Sequence, residues 1–393
     1  RTRGALVAAE VGLSLVLLVA AGLLIRSGIE LGRVDPGFDV EDLLVVRLSL
    51  PATRYPEPAQ VTAAFERIVE AVRAVPGVAA ASLTSRAPMG GGDSSNGLLP
   101  EGVEFSPEAV VQSQLRLIGP EHFDTLGLDV LRGRPFTAAD RAGAPKVMAL
   151  SETAARRLYP EGALGRRVDC CDGTLKTVVA IVADTRPWSL ATEPAPEFYL
   201  PMAQAPPDAW RWLQGTMDVL VRTEREPEAI VPALRLAVAR VDPELPLYDV
   251  GTLEERVGGS IATTRFNTFL LTVLGATGLL LAAVGIYGTV AHGVEQRRRE
   301  ISVRMAVGAT PRHAVGLMVR RTLPALTVGV GCGIAGAAAA GRFLEEQVFG
   351  VAVRDPATYA AVVAVLSAVA LVASLLPARR AARVDPAATL SKS

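Results

Sequence analysis

The sequence lacks the residue patterns on which most catalytic and metal sites are built. Its 393 residues include three histidines and three cysteines, and no G-x-x-x-x-G-K-[ST], G-x-S-x-G, H-E-x-x-H or C-x-x-C motif occurs. His122, His292 and His313 are far apart, so we expect three isolated surface histidines rather than a zinc site. The sequence therefore predicts no catalytic site, no metal site and no cofactor bound by the chain itself.

A net charge is also absent. Forty basic residues balance forty acidic ones, so no global field points to nucleic acid as a partner. Aromatic residues make up 5% of the chain, whereas half of all residues are hydrophobic. The mean hydropathy of +0.33 is unusual for a water-soluble protein and directs attention to membrane-spanning segments.

Four apolar segments are long enough to cross a membrane, which takes about 20 helical residues. They are residues 5–25, 266–290, 322–340 and 359–376. A cleaved signal peptide is the alternative for the first segment, but its apolar run is longer than about 15 residues and no small-x-small cleavage site follows. Burial in a soluble core is the alternative for the other three, and their length and lack of charge argue against it. The sequence therefore predicts a four-span bundle.

Arginines are concentrated in two of the connecting segments. Seven lie between the second and third spans, and three follow the fourth: Arg297, Arg298, Arg299, Arg304, Arg312, Arg320, Arg321, Arg379, Arg380 and Arg383. Because basic loops stay on the cytoplasmic side, both segments and the N-terminus are predicted to be cytoplasmic. The chain then consists of a first transmembrane helix (1–29), an extracytoplasmic domain (30–262), and a membrane part (263–393) with a cytoplasmic segment at 291–321.

Residues 30–262, which we call the outer domain, have the composition of a water-soluble α+β domain. A strand–helix–strand pattern occurs near each end of it. The predicted strands are 43–50, 78–85, 217–223 and 245–250, and the predicted helices are 59–75 and 227–241. Two such βαβ-like units indicate helices on one face of a sheet, with residues of about 118–205 forming an inserted subdomain.

Within the inserted part, Ser151 is placed to cap a helix, and residues 172–173 are placed to form a hairpin turn. Cys170 and Cys171 come just before this turn. Adjacent side chains on a strand point to opposite faces, so a disulfide between them would be strained, and two free or variably oxidised thiols are expected. A metal site that also uses Asp169 and Asp172 is the alternative.

Two features of the spans single out residues in the membrane. Glu10 is the only acidic residue inside a span, and an intramembrane carboxylate is a functional candidate by default. It lies near the cytoplasmic end, where pairing with Arg3 or another helix would give it a structural role instead. Gly329 and Gly333 have the spacing that lets helix backbones approach closely, within the chain or across a dimer. Chance is the alternative in so Gly- and Ala-rich a segment.

The segment after the second span is charged and amphipathic. Glu295 and Arg299, and Glu300 and Arg304, have the four-residue spacing of helical ion pairs. A helical apolar stripe is formed by Val294, Ile301, Met305 and Gly308. One interpretation is a helix lying among lipid headgroups. The other is a docking surface for a cytoplasmic protein, with Ile301 and Met305 as apolar anchors.

A resemblance to a known family is carried by residues 287–321, with the sequence YGTVAHGVEQRRREISVRMAVGATPRHAVGLMVRR. This stretch resembles the segment after the second span in permeases of the MacB and FtsX type of ABC transporter. Residues 377–390, 34–56 and 196–204 are similar to the same family, in its duplicated, ATPase-free permease branch. Since one polypeptide of that branch tends to carry two such halves, the chain resembles the second half.

The resemblance implies a permease of the bacterial inner membrane with a large periplasmic domain. Its partners would be a cytoplasmic ABC ATPase that binds the ATP, a second permease half or a second copy, and membrane lipids. The ATPase would contact the residues around Glu300, Ile301, Arg304 and Met305. We add Glu295, Arg298 and Gly308 and call these seven residues the candidate coupling site.

Export or mechanotransmission is the function that the resemblance implies, and no motif specifies the cargo. The alternative function is that of a membrane-anchored ligand-binding or sensor protein that works without an ATPase. An ATPase gene adjacent to the gene of this chain would favour the permease.

Overall fold

The computed structural model describes residues 2–92, 94–296, 311–345 and 348–382. The chain divides into two compact units. The helical unit comprises Arg1–Arg33 and Ala262–Ser393, and the outer domain comprises Val34–Ile261. Both divisions fall close to the boundaries at residues 29 and 262 that the sequence suggests.

Within the described residues, the helical unit contains four long helices and the outer domain contains six shorter ones. The long helices are α1 (Thr2–Leu31), α8 (Ala262–Gln296), α9 (Pro311–Leu344) and α10 (Pro356–Ala382). Among the described residues these four helices are long and apolar enough to cross a membrane, as the sequence predicts. An Asp-Pro pair starts α10, because Thr358 N donates to Asp355 Oδ2 over 2.8 Å and Pro356 needs no donor partner in the first turn.

The outer domain is built from eleven described strands and helices α2 to α7. The strands are β1 (Leu43–Leu48), β2 (Val78–Thr84), β3 (Ser95–Pro100), β4 (Val111–Ile118), β5 (Val130–Gly133), β6 (Val147–Ser151), β7 (Arg167–Cys170), β8 (Thr174–Val182), β9 (Glu197–Pro201), β10 (Met217–Thr223) and β11 (Tyr248–Thr252). The helices are α2 (Pro58–Arg73), α3 (His122–Leu126), α4 (Glu152–Leu158), α5 (Trp210–Leu213), α6 (Pro227–Val241) and α7 (Leu253–Ser260).

The two βαβ-like units combine into one antiparallel sheet in the order β11-β1-β10-β2. Helices α2 and α6 cover one face, where Phe65 and Leu234 share a core with Leu44 and other strand residues. Leu43 and its same-face neighbours instead pack with Phe123 of α3 on the opposite face. Because both faces are covered, the first four residues of β1 are a continuous apolar run instead of an alternating pattern.

The inserted part forms a closed ring of six strands, in the order β4-β3-β7-β8-β6-β9 and back to β4. A single pairing, Thr84 with Ile118, joins the ring to β2. The ring starts at Ser95, earlier than the boundary of about 118 predicted from the sequence. β3 was not predicted from the sequence because it contains polar residues together with Gly97 and Pro100, and Gly and Pro are depleted in strands.

Several local expectations agree with the structure. Ser151 caps α4, with Ala154 N donating to its Oγ over 3.3 Å, and β7 and β8 form the predicted hairpin. The last strand differs: β11 covers Tyr248–Thr252 instead of 245–250. Pro246 lies in the predicted stretch and has no backbone N–H for a strand ladder, so the pairing with β1 begins after it.

Candidate functional site in the membrane helices

Helix α1 lies between α8 and α9, and both neighbours present glycines to it. On α8, a Cβ added to Gly278 would lie 2.9 Å from Ser14 Oγ, and one added to Gly275 would lie 3.0 Å from Leu18 Cδ2. These distances leave no room for a larger residue without a shift of α1. Gly275 and Gly278 have the spacing of one helix face, but they were not predicted from the sequence as a contact surface.

Gly329 and Gly333 of α9 bring that helix into backbone contact with α1. A Cβ at Gly329 would lie 2.8 Å from Ala8 O, and one at Gly333 would lie 3.0 Å from Gly12 O. The two glycines suggested by their spacing thus face a partner helix within the same chain. Gly12 also belongs to this crossing, since a Cβ added to it would lie 3.2 Å from Gly329 O. The sequence pattern did not indicate Gly12.

Glu10 turns its carboxylate towards α8, where the absent side chain of Gly285 leaves space for Oε2. This oxygen is buried and has no hydrogen-bond partner within the part of the chain that the structure describes. A buried carboxylate oxygen without a donor carries a desolvation cost. Glu10 is therefore held at a helix crossing in the bundle, and packing of α1 on α8 depends on the small residue opposite it.

The other end of α1 is fastened to the segment before α10. Arg26 forms an ion pair with Asp355, the residue that starts α10. Phe349 N donates to Ser27 Oγ over 2.8 Å. Contacts at both ends and along its length make α1 the helix around which this unit is packed.

The candidate coupling site lies largely outside the described residues. Glu295 is described: it is the next-to-last residue of α8, and its side chain is exposed. The other six members of the site, Arg298, Glu300, Ile301, Arg304, Met305 and Gly308, fall between the described ranges. With 35 residues, α8 is about 52 Å long at 1.5 Å per residue, so it exceeds a hydrocarbon core of about 30 Å.

The outer domain contains a buried polar cluster that the sequence analysis missed. Arg116 Nη2 lies 2.9 Å from Glu197 Oε1, and Tyr199 OH donates to Glu197 Oε2 over 3.2 Å. His122 lies among them, so the expectation of a surface histidine is wrong at this position. Burial, with a smaller contribution from Arg116, lowers the pKa of His122 to about 3 and keeps it neutral. Its neighbours Phe123 and Leu126, apolar at helical spacing, were the available signal of burial.

His292 is exposed, as expected, and its Nε2 lies 3.0 Å from Gln296 Nε2. The described residues contain no group of three or more His, Cys, Asp or Glu side chains arranged to hold a metal ion. The alternative metal site with Asp169 and Asp172 therefore has no support in the geometry.

The fold and the bundle together define a polytopic membrane protein: four apolar helices, with a large α+β domain between the first and second. Two family profiles match this chain. The MacB-like periplasmic core domain matches residues 13–237, more than half of the chain, and the FtsX-like permease C-terminal domain matches residues 272–386. The chain therefore belongs to the MacB/FtsX-like ABC transporter permease family. Its architecture is that of an inner-membrane protein with a periplasmic domain.

Curated relatives include export proteins of several bacteria. The pyoverdine export ATP-binding/permease protein PvdT of Pseudomonas syringae is 28% identical over 40% of this chain and 24% of that protein. The macrolide export ATP-binding/permease protein MacB of Salmonella typhimurium is 22% identical over 70% of this chain and 43% of that protein. The chain thus spans less than half the length of these relatives.

Solved structures similar to this chain include the periplasmic region of MacB from Actinobacillus actinomycetemcomitans. It is 13% identical with a TM-score of 0.37, and the match covers 55% of this chain and 91% of that one. The extracellular domain of the ABC-type transporter YknZ from Gram-positive bacteria is 18% identical with a TM-score of 0.34. That match covers 52% of this chain and all of the other.

Proposed function

We propose that the chain is the permease subunit of an ABC transporter that converts ATP hydrolysis by a separate cytoplasmic ATPase into movement of its periplasmic domain. The family membership supports the transporter class. The observation that carries the mechanism is the backbone-close packing of α1 between α8 and α9. The purpose of the movement is export or mechanotransmission.

The packing explains how a push at one end of the bundle would reach the other. A displacement of α8 or α9 moves α1 as well, because the helices are in close contact at the glycine crossings. Both α1 and α8 continue directly into the outer domain: α1 ends at Leu31, and α7 of the outer domain ends at Ser260, just before α8 begins. Two short covalent connections then transmit the movement.

The candidate coupling site stands where such a push would enter. In the sequence, six of its residues lie between α8 and α9, and Glu295 is the next-to-last residue of α8, at the end of this helix opposite to the connection with the outer domain. We propose that Ile301 and Met305 insert into the ATPase while Glu300 and Arg304 set the orientation. With this site in the cytoplasm, both termini are cytoplasmic, and a second permease half or a second copy completes the transporter.

The test is the ATPase activity of the candidate partner ATPase, reconstituted with the full permease in lipid. We expect Arg304→Glu and Met305→Asp to abolish both binding and modulation of ATP hydrolysis. Arg132→Glu, a charge reversal at an exposed position of the outer domain, is the matched control and should leave both unchanged. The proposal would be overturned if both coupling-site variants bind the ATPase and modulate ATP hydrolysis as the natural chain does. It would also be overturned if the natural chain itself shows neither binding nor modulation.

A further inference from the structure

Two adjacent cysteines meet at the end of the β7–β8 hairpin. Cys170 is the last residue of β7 and is buried, whereas Cys171 is exposed and begins the turn. Cys171 has a left-handed backbone with a φ of +70°, so it does not continue the alternation of the strand. The structure has both thiols free, as expected, with Cys170 inside the domain and Cys171 at its surface.

The two thiols are chemically different. The neighbouring Cys170 thiol lowers the pKa of the Cys171 thiol, and the Lys176 ammonium acts in the same direction. Lys176 is itself buried, and its Nζ donates to Cys170 O over 2.9 Å and to Asp172 Oδ1 over 2.6 Å. The neighbouring Cys171 thiol, together with burial, raises the pKa of Cys170. Thus an exposed thiol with a lowered pKa lies beside a buried thiol that keeps its proton.

We propose that Cys170 and Cys171 form a thiol–disulfide exchange site for low-molecular-weight disulfides. The Cys171 thiolate attacks one sulfur of the incoming disulfide, a mixed disulfide forms, and the other half leaves as a thiolate. Cys170 then gives its proton to a departing thiolate, and its sulfur attacks Cys171 Sγ. The Cys170–Cys171 bond forms as the second half leaves, so the cysteines lose two electrons and two protons and the oxidant becomes two thiols.

The geometry of the Cys170–Cys171 disulfide would make its formation reversible. Adjacent Cα atoms are about 3.8 Å apart across a trans peptide, which is below the usual range of about 4.4–6.8 Å in disulfides. The strain makes the bond easy to reduce, and labile disulfides of this kind are regulatory or catalytic. Oxidation would also add a covalent link at the end of β7, where Cys170 pairs with Leu98 of β3.

The chain contains its own control. Cys332, the third cysteine, lies on α9 and is exposed, and it has no neighbouring cysteine in sequence. Because Cys332 lies in a membrane-spanning segment, the matched comparison for Cys171 in water is Cys170→Ser, which leaves a single exposed thiol at the same position. Only a built pair makes residues 170–171 respond as a unit.

The test is mass spectrometry of the full chain in detergent, equilibrated at increasing ratios of oxidised to reduced glutathione. We expect the peptide with Cys170 and Cys171 to lose two hydrogen atoms, while the Cys332 peptide carries only a thiol or one glutathionyl group. In Cys170→Ser, the resolving thiol is gone, so Cys171 should accumulate a glutathionyl group. In Cys171→Ser, the buried Cys170 should stay a thiol.

A glutathionyl group on Cys171 of the natural chain, without loss of two hydrogen atoms at any ratio, would overturn the proposal. So would equal modification of Cys170 in the natural chain and in Cys171→Ser. Both variants must show the circular dichroism and thermal unfolding of the natural chain. The outcome is independent of the ATPase coupling, because the measurement uses no partner protein.

Discussion

Gly12 of α1 and Gly333 of α9 touch through their backbones: a Cβ on Gly333 would lie 3.0 Å from Gly12 O and 2.8 Å from Leu15 Cβ. We predict that Gly333→Ala destabilises the helical unit by roughly 1–3 kcal/mol, the usual cost of overpacking. Gly331→Ala is the matched control, since its added Cβ meets nothing within 4 Å. It should be neutral or stabilise by up to about 1 kcal/mol. Thermal unfolding in detergent compares the two, and equal midpoints would refute the close crossing.

The contact between Glu10 and Gly285 predicts a non-additive pair of substitutions. Gly285→Ala should destabilise the protein because its methyl group would overlap Glu10 Oε2. The same substitution in a Glu10→Ala background should cost much less, giving an interaction energy of roughly 0.5–3 kcal/mol. Gly288→Ala, with open space around its Cβ, is the control and should be additive with Glu10→Ala. Additivity of both pairs would place Glu10 elsewhere.

The buried ion pair of the outer domain predicts a large effect from a small change. Glu197→Gln leaves Arg116 buried without its counter-charge, which typically costs about 3–5 kcal/mol. Glu101→Gln removes the partner of Arg167 in an exposed ion pair and should cost no more than about 1 kcal/mol. Urea unfolding followed by tryptophan fluorescence measures both. Similar costs for the two variants would contradict the buried pair.

His122 predicts a pH dependence of stability. Its pKa falls from about 6.5 in the unfolded chain to about 3 when folded, so the unfolded state binds the extra proton between these values. Its contribution is complete above pH 6.5 and decreases as the pH falls towards 3, by at most about 1.4 kcal/mol per pH unit. His122→Leu should unfold with a shallower pH dependence than the natural chain between pH 6.5 and 5. Parallel profiles would mean that His122 is accessible to protons in the folded state.

A labelling experiment can test the orientation of the helices in the membrane. Single cysteines introduced at Arg298 and at Glu345, in a chain without its own thiols, should react oppositely with an impermeant maleimide added to intact cells. The first should be protected and the second labelled, because the arginine-rich connection is predicted to be cytoplasmic. Labelling of both from outside would refute the four-span topology.

Local sequence patterns predicted the elements whose signal lies in a few consecutive residues. The uncharged run of α8, the Ser151 cap and the hairpin after Cys170 are examples. Each depends on hydrophobicity, on a side-chain acceptor at a helix start, or on turn residues, and these act over short distances along the chain.

Features that depend on distant residues were not predicted. The approach of Gly12 to Gly329 joins distant parts of the sequence: the spacing of Gly329 and Gly333 predicted a close helix crossing, but no local pattern showed that α1 is the partner helix. His122 is the first residue of a five-residue helix, which has few residues to reveal a buried face. The left-handed backbone at Cys171 was not predicted either, because a non-glycine residue with a positive φ has no distinct sequence pattern.

Closure of the six-stranded ring has a consequence for self-association. An open sheet edge offers unpaired N–H and C=O groups to another chain and is a common start of aggregation. Each of the six ring strands has at least two neighbours, whereas β5 and β11 each pair with one strand only, and β2 pairs beyond β10 at the single residue Thr84. Among the described strands, these three edges are therefore where a foreign strand could add, and the ring itself is protected when many copies crowd on one membrane.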